Sequence, residues 1–587
     1  MHHHRIKPWL GALALLAVST GSSGLTPPPD LRVYPTMNFS GWYDPYFGTK
    51  GQQVSDIGRI SIAAEPELSD EIRFLHRRPD GSVLAVGRSQ ECGTNWNQDG
   101  VFDDGCREVL SLALYDRDGR LVPTAGRPFA RGLLTGYTDT SGPPDLSGMQ
   151  YFPAFGLQTS DELLNLGSVF DNPQQLPPAN DTAPYRSLPQ SFHPSDSTMA
   201  PSGKVYVLGE LLFRGPGCTR YEQTQDQLPC LVDRAPTVLA FDARLNPDFA
   251  LRDASLRVLR LRSEPASVSI WSGQWDAACL VTHYTALAVD ATRIYVAGFR
   301  RNTCTGSKQP AYQPFVVALT LAGRLDIGFA SHGLWEPVWH DGLASGGAIS
   351  DLQIDAKGDL LVLAGVANGS AMTTALLKIS PAGQPYTGFA ANGMLRLPEL
   401  RYAEGERHML LALAPRNRAY VFASLSGQLI HVADTSAGVR DSDYGPGGVG
   451  VYDAGSDLLP SPAFQGRALP YFDDLAPLCG NGVALVGTSP DRGGQPTAVV
   501  LNGRGVRAPG FHDDFLAAPA GLVFDNYLGR LPNIRRAQGF AALYDASDNK
   551  LLVGGSAGQK SPWQSGVVVA HDDFALSARR VRCVDVD

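Results

Sequence analysis

The sequence predicts an all-β protein, and specifically a single seven-bladed β-propeller closed by its N- and C-terminal strands. First, glycine (63 residues) and proline (43) are abundant in a chain of 587 residues that is still 43% hydrophobic, as in proteins with many short strands around a large core. Second, a glycine-rich turn motif recurs along the chain, each copy followed by a hairpin motif. Third, the chain begins in the middle of one repeat and ends in the complementary part, which would close a ring.

The turn motif is clearest in residues 41–51, GWYDPYFGTKG. We expect Asp44 to bond the backbone of its own turn, the later glycines to take positive φ, and Phe47 to pack between blades. A ligand-binding ring of Asp44, Asp326 and Asp441 is the alternative. The other copies are residues 323–333, 383–393 and 438–448, and weaker copies begin at Gly119, Ala243 and Gly503.

Each copy is followed by a turn and a β-prone run, the signal of a hairpin. These runs end at Gly87, Gly209, Gly298, Gly365, Ala423, Gly487 and Gly555. A further apolar strand is predicted at residues 110–115, 238–241, 315–321, 376–379, 429–432, 499–501 and 567–570. Seven blades follow, with six or eight as alternatives because a long insertion at about residues 130–198 obscures the count.

The DPYFGTKG turn and the PDGSVLAVG hairpin resemble the delta-60 repeat of bacterial secreted proteins. The likeness covers roughly residues 38–575 and is specific in four copies. It implies a β-propeller-like array of unknown biochemical role and brings no catalytic residues with it.

The N-terminal segment predicts export. Arg5 and Lys7 precede an apolar run at residues 9–18, which is too short to cross a bilayer, so we expect a signal peptide at 1–23 and a Pro-rich spacer at 24–37. An uncleaved anchor is the alternative. Residues 38–587 then form the propeller, a secreted or periplasmic monomer without a transmembrane anchor.

The charge excludes one class of partner. The chain has 49 Lys and Arg against 58 Asp and Glu, a net charge of −9, without long runs of one sign. Nucleic-acid binding needs a clustered basic face, so we expect none.

The eight cysteines predict disulfide bonds, because an exported protein meets an oxidising environment. A zinc site is the alternative, but the chain has no CxxC pair. Spacing suggests the pairs Cys92–Cys106, Cys218–Cys230, Cys279–Cys304 and Cys479–Cys583.

Residues 91–106 predict a calcium loop. Alternating oxygen ligands would come from the side chains of Asn95, Asn97, Asp99 and Asp103 and from the carbonyl of Val101. The spacing resembles the calcium loops of integrin-type propellers, with Asn95 in place of the usual first Asp. A disulfide-closed acidic surface loop is the alternative.

Other enzyme motifs give no support for catalysis: the chain has no His-Glu-x-x-His and no phosphate-binding glycine loop placed after a strand and before a helix. Scattered histidines could still meet at a propeller's centre, whereas the Asp pairs 103–104, 473–474 and 513–514 are interpreted as solvated turn residues. The histidines in question are His193, His283, His332, His340, His408 and His431.

The predicted function is therefore a binding or scaffold module for an unidentified protein or glycan partner, with the long insertion as a possible recognition surface. One alternative is a propeller enzyme, a hydrolase or oxidoreductase, at the central tunnel. A purely structural surface protein is the other. Clustered histidines and carboxylates in the tunnel would favour the enzyme, and a lack of any polar pocket would favour the structural role.

Overall fold

The strands among the described residues form seven antiparallel sheets. No α-helix occurs among the residues that the computed structural model describes, so the all-β prediction is confirmed. The described residues are 52–55, 70–92, 106–120, 122, 133–135, 189–214, 231–245, 259–260, 280–302, 312–337, 346–368, 371–401, 409–423, 428–451, 471–489, 495–508, 522–524, 534–560 and 570–581.

Each sheet begins with a hairpin, and sheets 1 to 7 are numbered by the chain order of these hairpins. The first strands are β2 (Asp70–Arg77), β6 (Pro189–Met199), β10 (Leu280–Val289), β14 (Gly347–Ile354), β18 (Met409–Ala414), β23 (Tyr471–Pro477) and β27 (Ile534–Asp545). Their hairpin partners are β3 (Val83–Cys92), β7 (Val205–Arg214), β11 (Arg293–Asn302), β15 (Leu360–Asn368), β19 (Arg418–Ala423), β24 (Val483–Ser489) and β28 (Lys550–Lys560).

A third and a fourth strand complete each sheet. The third strands are β4 (Cys106–Tyr115), β8 (Leu231–Phe241), β12 (Tyr312–Thr320), β16 (Ala371–Ile379), β20 (Gln428–Asp434), β25 (Gln495–Leu501) and β29 (Ala570–Arg580). The outer strands of sheets 1 to 6 are β5 (Leu133–Thr135), β9 (Leu259–Arg260), β13 (Leu334–Trp335), β17 (Met394–Arg401), the pair β21 (Val439–Arg440) and β22 (Gly450–Val451), and β26 (Leu522–Phe524).

The outer strand of sheet 7 comes from the other end of the described chain. It is β1 (Gln52–Ser55), which pairs antiparallel with β29, so that Val54 lies opposite Ala575. Of the predicted strand 567–570, only Ala570 is among the described residues, and it is the first residue of β29.

The hydrophobic core lies between sheets. One buried cluster joins sheets 3 and 4, for example through Tyr295 and Val362. Similar clusters join sheets 2 and 3, 4 and 5, 5 and 6, and 6 and 7. Sheet 1 packs on sheet 7 in the same way, with Ile72 and Tyr115 in one cluster with Ala541 and Leu552. Burial of apolar side chains between neighbours thus supplies the main stabilisation of the sheets.

The turn motif links neighbouring sheets by a repeated contact. The N–H groups of Ala330, Ala390 and Gly445 donate to the carbonyls of Ala382, Ala437 and Arg504 at 2.8, 2.8 and 2.9 Å. The next residue after Ala382, Gly383, has φ of 75°, and a Cβ there would lie 2.4 Å from the Cβ of Ala330. Only glycine fits this position, for conformation and for space.

The Asp position of the motif does what the sequence predicts in the copies at 323–333 and 438–448, and the aromatic position does so in three copies. Oδ1 of Asp326 accepts from the N–H of Gly328 at 2.9 Å, and Oδ1 of Asp441 accepts from that of Asp443 at 3.0 Å. The aromatic residues of three copies are completely buried within the clusters between sheets; they are Phe329, Phe389 and Tyr444. Asp44 and Phe47 themselves lie outside the described residues.

Residues 1–37, the predicted signal peptide and spacer, also lie outside the described residues. Within the described part of the chain, no helix has the length and apolar character needed to span a membrane. Of the predicted insertion at 130–198, the described residues are strand β5 and most of strand β6.

Candidate functional site

All seven first strands contribute to one cavity of about 730 Å³, which we call the inner-strand cavity. Histidine, carboxylate, hydroxyl and amide side chains line it together with apolar ones. The polar lining residues are His76, His193, Ser195, Asp196, Ser197, Thr198, Glu210, His283, Tyr284, Thr285, Ser350, Asp351, Gln353, Asp473 and Asp474.

A β-bulge shapes the wall of this cavity. The pairing of first and second strands skips one residue at the same place in sheets 1, 2, 3, 4, 6 and 7, whereas β18 and β19 pair without a skip. A bulge changes the direction of the side chains around it and leaves one residue outside the ladder. The bulge residues are Arg73, Ser195, Thr285, Ser350, Asp473 and Phe540.

Three bulge residues carry hydroxyl groups that bond nearby carbonyls. The hydroxyl of Ser350 donates to the carbonyl of Leu363 on the partner strand at 3.2 Å. That of Thr285 donates to the carbonyl of Ile349 in the next sheet at 2.8 Å. Short hydroxyl side chains are suited to the bulge because they satisfy carbonyls close to the wall.

In sheets 2, 4 and 6 the residue after the bulge is an aspartate, and its carboxylate connects two sheets. Oδ2 of Asp196 accepts from the N–H of Leu287 in sheet 3 at 2.6 Å. Oδ2 of Asp474 accepts from the N–H of Ala542 in sheet 7 at 2.8 Å. Each carboxylate also accepts from the N–H of the residue that follows it.

Asp351 makes the third such connection, with Oδ2 accepting from the N–H of Leu411 at 2.9 Å and Oδ1 from that of Leu352 at 2.6 Å. Burial deep in the wall raises the pKa of Asp351 to about 6, although these hydrogen bonds favour its charged form. The negative charge of Asp474 raises the pKa of Asp351 further.

His76 lies on the wall formed by sheet 1, where its Nε2 is 2.6 Å from the hydroxyl oxygen of Ser197 in sheet 2. Burial lowers the pKa of His76 to about 4, because the imidazolium form loses its hydration. The imidazole is therefore neutral at physiological pH.

Aromatic rings form the part of the wall that belongs to sheet 3. His283 stacks on Phe299, with ring centroids 5.0 Å apart. Tyr284 meets Phe315 edge to face at 5.4 Å. The cavity thus combines hydrogen-bonding groups with flat apolar faces, as ligand sites commonly do.

The predicted histidine cluster is formed in part. His193 and His283 line the cavity, and so does His76, which the sequence analysis did not select. His332 is exposed in the turn of sheet 3, and His340 and His408 lie outside the described residues. His431 lies elsewhere: it is buried on β20, where its Nδ1 is 2.9 Å from Oδ2 of Asp441.

The interpretation of residues 473 and 474 as solvated turn residues is wrong. Both lie within β23 and line the cavity, where Asp474 bonds the backbone of sheet 7. An Asp within an otherwise β-prone segment, in register with Asp196 and Asp351 of the other repeats, is the signal that could have identified them. The pairs 103–104 and 513–514 lie outside the described residues.

The predicted calcium ligands Asn95, Asn97, Asp99, Val101 and Asp103 lie outside the described residues, so this site stays a prediction. The described residues contain no group of three or more His, Cys, Asp or Glu side chains able to hold a metal ion.

The ends of the predicted calcium loop are described only by their backbone, in which Cys92 lies directly opposite Cys106 at the open end of the β3–β4 pair. Cys479 is disulfide-bonded, and its pairing with Cys583 remains a prediction. Residues 218, 230, 279, 304 and 583 lie outside the described residues.

No known protein family matches the chain, and no curated protein matches it. Among solved structures, the chain is similar to a protein of unknown function from Dyadobacter fermentans DSM 18053, at 10% identity over 91% of this chain and 100% of that chain, with a TM-score of 0.35. It is similar to regucalcin, a calcium-binding protein from Agrobacterium tumefaciens, at 12% identity over 67% and 91% of the two chains, with a TM-score of 0.28. It is also similar to the intramolecular trans-sialidase from Ruminococcus gnavus, at 8% identity over 87% and 94%, with a TM-score of 0.31. Likenesses with TM-scores this low carry no argument about this chain.

Proposed function

We propose that the protein is a secreted binding module, a closed seven-bladed β-propeller that takes a protein or glycan partner at the inner-strand cavity. The seven sheets, the packing of sheet 1 on sheet 7 and the pairing of β1 with β29 support closure of the ring. The inner-strand cavity is then the central channel of the propeller. Export through the predicted signal peptide would place it outside the cytoplasm.

The observation that carries the proposal is the cavity itself. Its volume of about 730 Å³ lies within the usual range of ligand sites, and side chains of several chemical types converge on it. A purely structural ring could be filled by apolar side chains or by water and would not need histidine, carboxylate and aromatic side chains together at one cavity. The polar lining therefore favours recognition over a purely structural role.

The carboxylates that connect sheets are poor candidates for acid or base catalysts. Each accepts two backbone N–H groups, so both of its oxygens are already engaged in holding first strands together.

Blocking the cavity tests the proposal. Gln353 lines the cavity from β14, and Gln353→Trp would fill it without changing the bulge. In a thermal-shift screen of neutral, amino and acidic oligosaccharides and of short peptides, we expect ligands that raise the Tm of the wild-type protein to lose this effect in Gln353→Trp.

The matched control is Arg324→Trp, in an exposed turn of sheet 3, which should respond to ligands like the wild-type protein. A ligand that protects Gln353→Trp as well as the wild-type protein would place the site outside the cavity and contradict the proposal.

Hydrolysis is the second candidate, because His193, His283 and Asp473 line the same cavity. Imidazole and carboxylate side chains are the usual general acids and bases of hydrolases. Turnover of lactone or glycoside substrates that disappears in His283→Ala, while ligand protection in the thermal-shift screen persists, would support the enzyme over the binding module.

Calcium remains a separate proposal for the loop at residues 91–106. Chelation should lower the Tm of the wild-type protein, and added calcium should restore it in the wild type but not in Asp99→Ala. An unchanged Tm after chelation would contradict the calcium loop and leave the cavity proposal untouched.

A further inference from the structure

Among the described lining residues of the inner-strand cavity, the formally charged side chains are all acidic. They come from sheets 2, 4 and 6, and among the described lining residues there is no Lys or Arg. Low-dielectric walls concentrate the field of such charges inside a cavity. The five acidic residues are Asp196, Glu210, Asp351, Asp473 and Asp474.

The surroundings of Asp351 show that at least part of this charge is uncompensated. Its hydrogen-bond donors are the N–H groups of Leu352 and Leu411 and the amide of Gln353, all of which are neutral. The charge that perturbs it is that of Asp474, which has the same sign and disfavours ionisation. A positive charge supplied by a ligand would relieve this repulsion.

The distribution of the carboxylates argues against a single metal ion. Calcium requires six to eight oxygens at about 2.3–2.6 Å from one point. Asp196, Asp351 and Asp474 instead come from three sheets that are not neighbours, and the described residues contain no group able to hold a metal. A cavity of about 730 Å³ has room for a ligand whose charges are spread along its length.

The wall formed by sheet 3 suits the apolar part of such a ligand. The stacked rings of His283 and Phe299 and the ring of Tyr284 belong to the lining. Alkyl chains pack on such faces, and ammonium groups are attracted to aromatic rings.

We propose that the inner-strand cavity binds an extended organic cation, in which alkylammonium groups are spaced along a flexible chain. This inference rests on the proposed function, because it names the class of ligand that the same cavity takes. Two sources present this chemistry, a free polyamine and the lysine side chain of a partner polypeptide.

Titration calorimetry of the full mature chain with spermidine at low ionic strength tests the proposal. We expect saturable binding in the wild-type protein and affinity about tenfold weaker in each of Asp473→Asn and Glu210→Gln, since each variant removes one lining charge. Gln353→Trp should abolish binding. The matched control is Asp443→Asn, the same change of charge in an exposed turn, which should bind like the wild type.

A pentalysine peptide and its fully acetylated form distinguish the two sources. Tighter binding of spermidine identifies a free polyamine as the ligand type, and tighter binding of pentalysine identifies a lysine-bearing partner. Acetylation should abolish binding of the peptide in either case, because it removes the charge.

Two results would overturn the inference. One is the absence of spermidine and pentalysine binding up to about 1 mM, which corresponds to less than about 4 kcal/mol. The other is equal weakening in Asp443→Asn and Asp473→Asn, which would indicate only net-charge attraction. If a neutral oligosaccharide still protects the wild-type protein and not Gln353→Trp, the proposed binding function stands and only the cationic ligand is wrong.

Discussion

Two features recur from sheet to sheet: the glycine-rich turn that follows the third strand and the β-bulge in the first strand. The turn keeps the same contact in three described copies, whereas the side chains at the bulge change. The turns of sheets 3, 4 and 5 make the same backbone contact with the following sheet. The residue after the bulge instead differs from sheet to sheet, and it is Phe74, Asp196, Ala286, Asp351, Asp474 or Ala541.

This difference distinguishes the residues that hold neighbouring sheets together from the residues that form the candidate site. The turn contacts hold sheets 3, 4 and 5 each to the following sheet, and these three turns share a buried aromatic ring, with a glycine at the close contacts of Gly383 and Gly438. The inner positions are constrained only by the bulge backbone, so their side chains can differ and can build a site from different residues of different sheets. The repeated positions therefore report the fold, and the variable positions in the same repeats carry the candidate site.

The largest expected change in the free energy of unfolding comes from a substitution in the glycine-rich turn. Gly383→Ala should reduce the free energy of unfolding by about 3 kcal/mol, because the residue has positive φ and its new Cβ would overlap the Cβ and backbone of Ala330. Urea denaturation measures it.

The control is Gly388→Ala in the same turn, where a Cβ would meet no atom within 4 Å. It should change the free energy of unfolding by less than about 0.5 kcal/mol. Equal losses in the two variants would show that the close contact between sheets is not what the motif glycine provides.

The second prediction concerns the aspartates next to the β-bulges of the first strands. Asp474→Ala should destabilise the protein by about 2 kcal/mol in urea denaturation, since it leaves the N–H groups of Leu475 and Ala542 without their acceptor. Water in the cavity can replace part of the loss, which is why the effect is smaller than at Gly383.

Asp473→Ala is the matched control for Asp474→Ala, because the neighbouring aspartate lies in the bulge and outside the ladder. We expect less than half the effect there. A larger loss at Asp473 would reverse the assignment of structural and ligand-binding roles within this pair.

The residues of the glycine-rich turns can be predicted well from the sequence, whereas the residues at the β-bulges of the first strands cannot. Gly383, Asp326 and Phe329 follow from the spacing of one motif, because identical contacts need identical residues. Asp196 and Asp351 cannot be selected in this way, since their role depends on a β-bulge and on an N–H group of the next sheet, neither of which leaves a repeated residue. The sequence analysis selects His431 as a candidate central histidine, but His431 does not line the cavity. It lies on a third strand, β20, and its partner is the turn-motif residue Asp441.

The third prediction concerns the pH dependence of stability that Asp351, next to the β-bulge of β14, should produce. Because the pKa of Asp351 is raised to about 6 in the folded protein, the folded state binds more protons than the unfolded state between about pH 4 and 6. Stability from this group is present below pH 4 and is lost as pH rises through 6. The loss should be about 1–2 kcal/mol, less than the full shift implies, because cavity water screens the group.

His76 titrates in the same range with the opposite sign, since its lowered pKa makes stability fall as pH decreases from about 6.5 to 4. Comparing wild-type protein with Asp351→Asn at each pH cancels this contribution. The stability difference between the two proteins should change between pH 4 and 7, and a constant difference would show that Asp351 titrates as an ordinary exposed aspartate.

The smallest expected change in the free energy of unfolding comes from the turn motif, at the one described aromatic position where tyrosine replaces phenylalanine. Tyr444 is completely buried, and its hydroxyl has no hydrogen-bond partner among the described residues. Phe329 and Phe389 occupy the equivalent position in sheets 3 and 4. Tyr444→Phe should therefore leave the free energy of unfolding unchanged or raise it by up to about 1 kcal/mol, because it removes a buried polar group without an interaction to lose.

Tyr420 packs beside Tyr444, with ring centroids 6.0 Å apart, and its hydroxyl donates to the carbonyl of Asn481 at 2.6 Å. Tyr420→Phe should thus destabilise the protein by about 1 kcal/mol, because the bond to sheet 6 is lost. Opposite signs for the two variants in urea denaturation would show that the aromatic position of the motif requires only a ring. Destabilisation by Tyr444→Phe as well would mean that its hydroxyl has a partner, such as a buried water shared with Nε2 of His431, and that this turn differs in chemistry from the other two.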